Sequence, residues 1–302
     1  MKKRYLLLLI GIVLVVGLIA ARNLSKKQQH AVNGLLARYG LQETVDSKNV
    51  LLVGKWKRYY SVQTAVEKAE DGSVIVVFPG TYREAVHASD KKLYILGMDR
   101  NECVLTYPNG DYLSPPVEMG GGMLANMTVH ATAQEQTQDA IAKAYAMHID
   151  FNSSINSTLD IVDVDFYNDD YQVLGIGLRE NFTLRFANCL FECKTDHNAF
   201  YCHDDPTCDG STGQKLIVEN CSFVNSGTSK PTILMQSQEA QGSEILCQWT
   251  DNTVQNKAGG ELFAVTYWNP KVSEAGGWQE MSFWKNSEVS QGNDLKALNE
   301  QS

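Results

Sequence analysis

Imidazoles and carboxylates recur in this chain at spacings that a sheet edge could gather. His148 and Asp150 stand two residues apart, and Asp196-His197 is followed closely by His203-Asp204-Asp205. Residues i and i+2 of a strand share a face, so such pairs converge. A histidine beside carboxylates can serve as general acid or base, or can bind a metal. Asp196, His203 and Asp204 are the catalytic candidates on this ground. The plainer alternative is a polar loop, with Asp204-Asp205-Pro206 as a turn. His148 and Gln236, on other strands of the same family, are candidate binding residues. A second acidic set comprises Asp160, Asp163, Asp165, Asp169 and Asp170. Calcium wants six to eight oxygens, and turn or solvent-face roles account for this set better. No metal and no cofactor is expected. Tyr267 and Trp268 are candidates for stacking on sugar rings, whose C–H faces are apolar. Trp278 and Trp284 are expected to plug one end of the fold.

The elements that must position these groups are legible as a repeat. Leu184-Arg185-Phe186-Ala187-Asn188-Cys189-Leu190-Phe191 is echoed at Leu216-Ile217-Val218-Glu219-Asn220-Cys221-Ser222-Phe223, a step of 32 residues. Weaker echoes fall at Asn126, Asp163, Asn252 and Asn286, at intervals of 25 to 37 residues. The copies are short, alternating and rich in Phe, Val, Ile, Cys and Thr, which favours strands. A second strand family precedes each echo, at Met147, Leu174, Phe200, Ile233 and Phe263. No copy can bury its apolar face alone, so the copies must stack. The expected fold is all-β: a right-handed parallel β-helix. The repeated Asn suits a turn in left-handed backbone, and its side chains can bond from coil to coil. The residue after it (Met127, Val164, Cys189, Cys221, Thr253) is expected to point inward.

Residues 1–27 are expected to be a signal anchor or signal peptide. Met1-Lys2-Lys3-Arg4 is a positive start, and Leu6 to Ala21 is an uncharged run of 16 residues. A spanning helix needs about 20, and a clean cleavage site is lacking. The expectation is an exported protein, held at the cell surface by an uncleaved helix, or secreted if cleaved. Residues 28–48 are expected to form a short capping helix and linker, with Val32, Leu35, Leu36 and Tyr39 at helical spacing. The β-helix is assigned to 49–290 and a tail to 291–302. The net charge of −9 argues against nucleic acid. Seven cysteines leave at least one thiol unpaired. Cys202 and Cys208 flank a short loop and could pair.

Tyr59-Tyr60-Ser61-Val62-Gln63-Thr64-Ala65-Val66 and Val74-Ile75-Val76-Val77-Phe78-Pro79-Gly80-Thr81-Tyr82-Arg83-Glu84 resemble the opening of pectin methylesterases of the pectin-lyase-like superfamily. Asn188-Cys189-Leu190-Phe191 and Asn220-Cys221-Ser222-Phe223 resemble two central coils of that family. The resemblance spans about residues 58 to 290. It implies a parallel β-helix and ester hydrolysis on a pectin-like polysaccharide. It also implies an Asp nucleophile, a second Asp as acid and base, an Arg that holds the nucleophile, and oxyanion-stabilising Gln residues.

Mapped onto this chain, the family's acid falls on Asp196. The nucleophile position falls on Lys230 or Thr228, neither a carboxylate, and the family's Arg has no counterpart near Thr266-Tyr267-Trp268-Asn269-Pro270. Gln172 matches the first oxyanion Gln with a one-residue shift. Two functions therefore stand beside one another. One is an exported carbohydrate-active protein with altered pectinesterase-like chemistry. The other is a non-catalytic cell-surface solenoid, polysaccharide-binding or structural and adhesive. In either case the expected partners are a pectin-like or other cell-wall glycan and the membrane, with the chain a monomer.

Overall fold

The computed structural model describes residues 24–42, 49–108, 115–133, 145–150, 152–204, 213–227, 230–237, 245–267 and 287–289. Among these, fourteen strands join one sheet and seven join another, and the pairings within both are parallel. One coil shows the plan. Thr183–Ala187 enters the larger sheet, Asn188 turns the chain, Leu190–Cys193 continues that sheet, and Phe200–Asp204 enters the smaller one. The next coil repeats it with Gln214–Glu219, Asn220, Ser222–Asn225 and Ile233–Ser237. Registers such as Leu184↔Leu216, Phe191↔Phe223 and Phe200↔Ile233 stack like on like. The fold is a β-helix.

Alternation puts one apolar residue in two inside the coil. Leu184, Phe186, Phe191, Phe200, Leu216, Val218 and Phe223 are fully buried. Aromatic rings form a ladder down the axis: Phe166 and Phe191 stack at 5.4 Å, Phe191 and Phe223 at 4.9 Å, and Phe223 and Trp249 at 5.3 Å.

The turn residues carry positive φ: Asn126 at 56°, Asp163 at 57°, Asn188 at 55° and Asn220 at 51°. An amide ladder links them, with Asn220 Nδ2 donating to Asn188 Oδ1 at 2.6 Å and Asn188 Nδ2 to Asp163 Oδ1 at 3.3 Å. Gly97 begins the column, because a Cβ there would lie 2.1 Å from the Asn126 carbonyl oxygen. Two of the six echoes are corrected. Asp251, not Asn252, makes the next turn, at φ 52°. Asn252 lies one step further, buried, where its amide donates to Val218 O and accepts from Cys221 N. Thr253 is accordingly exposed instead of inward. Asp tolerates the left-handed turn as Asn does, so the side-chain type alone misplaced the register. The last echo is also out of register, since Ser287 pairs with Cys247, ahead of the turn.

Helix Lys26–Arg38 starts at a capping box of Ser25 and Gln28. It does not close the end of the solenoid. Val32, Leu35 and Leu36 lie on Val74, Val76, Phe78, Leu96 and Ala125, the outward side of the larger sheet. The cause is local: Val74–Val77 is apolar on both faces, so Ile75 and Val77 fill the coil and the others need a cover. Arg38 (2.9 Å) and the Tyr39 hydroxyl (2.7 Å) then reach Asp163 Oδ2, fastening helix to turn ladder. Burial and the Asp163 carboxylate push the Tyr39 phenol well above its ordinary value. A shorter helix, Val62–Lys68, feeds Val62, Ala65 and Val66 into the interior at the N-terminal end.

The apolar run Leu6 to Ala21, the tail 291–302, Asp205, Cys208, Trp268, Trp278 and Trp284 lie outside the described residues. No described helix is long and apolar enough to cross a membrane. Cys189 and Cys221 sit in the inward column as buried free thiols.

Candidate functional site

The smaller sheet runs, rung by rung, through Val86–Ala88, Val117–Met119, Met147–Ile149, Leu174–Leu178, Phe200–Asp204, Ile233–Ser237 and Phe263–Tyr267. Met147, Ile149, Leu174, Ile176, Leu178, Phe200 and Cys202 point inward and are buried. The alternate residues therefore face out in two columns. One reads His87, Glu118, His148, Gly175. The other reads Gly177, His203, Gln236, Thr266.

The two glycines are the structural key. A Cβ on Gly177 would lie 2.5 Å from the Asp150 carboxyl, and one on Gly175 would lie 2.5 Å from the Tyr145 ring. The strand Leu174–Leu178 thus offers a bare floor, and Asp150 and Tyr145 lean over it from the preceding coil. Arg179, just past the end of that strand, brings a guanidinium nitrogen to 2.9 Å from Asp150 Oδ1. That contact is off the direction of an aligned hydrogen bond, and Oδ1 accepts none from the described residues. From the other side, His203 Nε2 faces Asp150 Oδ2 at 3.9 Å. This is too long for a direct hydrogen bond and suits a bridging oxygen. A buried carboxylate oxygen left imperfectly satisfied is a mark of function.

The first column forms a second group. Glu118 is 8 % exposed and lies between two imidazoles, with His87 Nδ1 at 2.5 Å and His148 Nδ1 at 3.7 Å. Burial works to raise its carboxyl, but hydrogen bonds from His148 and His87 prevail and hold it below the ordinary 4.5. A depressed carboxyl stabilises the fold above its unfolded value and loses that contribution as pH falls through the folded value. Below about pH 4.5, the melting temperature of the wild type is therefore expected to drop more steeply than that of Glu118→Gln. Parallel pH dependences for the two proteins would contradict this role. Tyr145 stacks on His148 at 5.6 Å, Tyr171 lies 5.3 Å from Tyr145, and His197 lies 4.5 Å from Tyr171. These rings make an aromatic border. Gln236 accepts from the Tyr201 hydroxyl and donates to Thr266 Oγ1 at 3.3 Å.

The fold brings His148, His203 and Gln236 to one face, as the strand pattern predicts. Gln172 lies in the turn before Leu174, its Nε2 3.4 Å from Asn198 Oδ1. Asp196 is in a turn, its side chain 74 % exposed and paired with Lys230 at 3.4 Å. Asp204 ends its strand; its side chain, that of Tyr267, and all of Trp268 lie outside the described residues. The second acidic set is taken up elsewhere: Asp163 by Arg38, Asp165 by Arg100, and Asp169 by His130 and Lys194. Arg179, Asp150 and Glu118 carry the centre of the site. The sequence signal for them is Gly175-Ile176-Gly177, which clears a floor just before Arg179.

No protein-family model matches the chain, and no curated protein matches it. Solved structures do. Pectin methylesterase PemA from Erwinia chrysanthemi superposes with a TM-score of 0.51 at 12% identity, over 71% of this chain and 68% of that one. A pectin methylesterase in complex with hexasaccharide VII gives 0.48 at 13% identity, over 73% and 67%. The pectin methylesterase from Aspergillus niger gives 0.39 at 12% identity, over 85% and 95%. The first of these shows that this chain shares the β-helix fold of a pectin methylesterase.

Proposed function

We propose that the outward face of the smaller sheet binds a pectin-like polysaccharide and hydrolyses a carboxylic ester on it. The observation that carries this is the grouping of Asp150, Arg179 and His203 over the glycine floor. Asp150 is the nucleophile and Arg179 holds its carboxylate. His203 is the acid and base in the part that the family pattern assigns to Asp196. Asp150 Oδ2 adds to the ester carbonyl, and the alcohol leaves with a proton from the His203 imidazolium. A water then gives its proton to His203 as its oxygen opens the acyl-enzyme, and the carboxylate is restored. Gln172, His148 and Gln236 position the sugar chain, with Tyr267 and Trp268 as stacking platforms beyond the last rung. Asp196 and Asp204 stand at the margin. The β-helix is right-handed, and the protein is an exported monomer, kept at the cell surface by an uncleaved N-terminal helix or secreted if that helix is cleaved. Nucleic acid is not a partner.

The test is methanol release from highly methylated pectin by the full chain, with Gly177→Ala alongside. The added methyl must displace Asp150, and a misplacement of about 1 Å costs about 10²-fold in rate. An equal rate in the variant would remove Asp150 from the reaction.

A further inference from the structure

The chain carries a second surface, built at the N-terminal end of the solenoid, that the ester site does not use. Gly54-Lys55-Trp56-Lys57-Arg58-Tyr59-Tyr60 holds three cations within four positions of a chain whose net charge is −9. Trp56 is 70% exposed and Tyr60 68%. Trp56 also has φ 64°, a left-handed backbone that is costly for a bulky residue and that points to function where it persists. Lys55 Nζ lies 5.8 Å over the Trp56 ring. Beside them opens a cleft of about 650 Å³ lined by Lys55, Tyr60, Thr81, Tyr82, Arg83 and Glu84. The acid in that lining is already engaged: Glu84 accepts from the Ser61 hydroxyl and from the Val62 (2.8 Å) and Gln63 (3.1 Å) backbone amides. Lys55, Arg58 and Arg83 form no ion pair with a described residue.

We propose that this patch binds an acidic sugar chain, a polyuronate. Trp56 and Tyr60 stack on ring faces, while Lys55, Arg58 and Arg83 pair with the carboxylates. Apolar rings interleaved with cations that have no carboxylate partner among the described residues match a polymer that alternates C–H faces and carboxylates, and they do not match a neutral glycan. The patch also lies beside the smaller sheet. Gln63 Oε1 accepts from the His87 backbone amide at 2.8 Å, so the cleft adjoins the first rung of the smaller sheet. The choice of a sugar acid rests on the ester-site assignment; the existence of a binding patch does not.

The experiment titrates the full chain with de-esterified polygalacturonate, with neutral dextran and with phosphatidylglycerol vesicles. Wild type is expected to bind polygalacturonate and not dextran, more weakly as salt is raised. Trp56→Gly, which removes the ring and relieves the backbone, is expected to bind about tenfold more weakly at an undiminished melting temperature. Arg83→Gln is expected to weaken binding as well. Equal affinity in wild type and Trp56→Gly overturns the proposal. So does Trp56-dependent binding to the vesicles without binding to polygalacturonate, which would make the patch a membrane contact. Asp150→Asn separates the two readings, because ester hydrolysis by that variant tests the ester site while Trp56, Lys55, Arg58 and Arg83 are left in place. If that variant still hydrolyses the ester, the ester-site assignment fails and the patch stands on affinity alone.

Discussion

Asp150→Asn is expected to lower the turnover of ester hydrolysis by about 10³- to 10⁴-fold with little change in KM. The substitution keeps the shape of the side chain and one oxygen near Arg179, now 2.9 Å from Oδ1. What it removes is the anionic oxygen that faces His203 at 3.9 Å. An amide is too weak a nucleophile to form the acyl-enzyme, and His203 then has no intermediate to resolve. Because the carboxylate is a quarter exposed, the melting temperature should move little. Circular dichroism, melting and steady-state kinetics on the same preparation check all three statements. A variant that loses activity together with its fold would make Asp150 a structural residue.

Phe191→Ala is expected to destabilise the fold by about 3–5 kcal/mol. Phe191 is fully buried and touches four other rings. It stacks on Phe166 at 5.4 Å and Phe223 at 4.9 Å, and meets Phe186 at 5.3 Å and Phe200 at 5.9 Å edge to face. Removal loses the transfer free energy of the ring and leaves a cavity that stacked coils cannot close, since each coil is pinned by its ladder to the next. The cavity lies beneath Phe200, which opens the strand that carries His203, so the site should loosen as well. Urea unfolding gives the size, and Phe191→Leu should cost much less than Phe191→Ala. A loss below about 1 kcal/mol, ordinary for a tolerated substitution, would show that the ring ladder does not support the core.

The solenoid was legible because its physics is periodic. The spacing of Asn188 and Asn220 and the apolar alternation around them suffice to stack the coils, and the positive φ at both turns follows from the residue type. The Asp251 turn was misplaced by one residue because Asp and Asn are equally suited to it. Helix Lys26–Arg38 was recognised from its apolar spacing, but its docking surface was not. Only three-dimensional pairing shows that Val74, Val76 and Phe78 leave an apolar outer face to be covered. His148 and His203 were found from their residue types. Arg179 was missed because it was sought one coil after the central pair, where family spacing would place it. It lies two residues after Gly177, and the glycine matters only once its coil is stacked on the preceding one, which carries Asp150. Asp196 was chosen by ungapped counting, which cannot see that the turn carries it out to Lys230.

Methanol release from highly methylated pectin, measured for the full wild-type chain beside Asp150→Asn at equal concentration, tests the central claim most directly. The grouping of Asp150, Arg179 and His203 predicts steady release by the wild type and almost none by the variant. No release by either protein, or equal release by both, would contradict it.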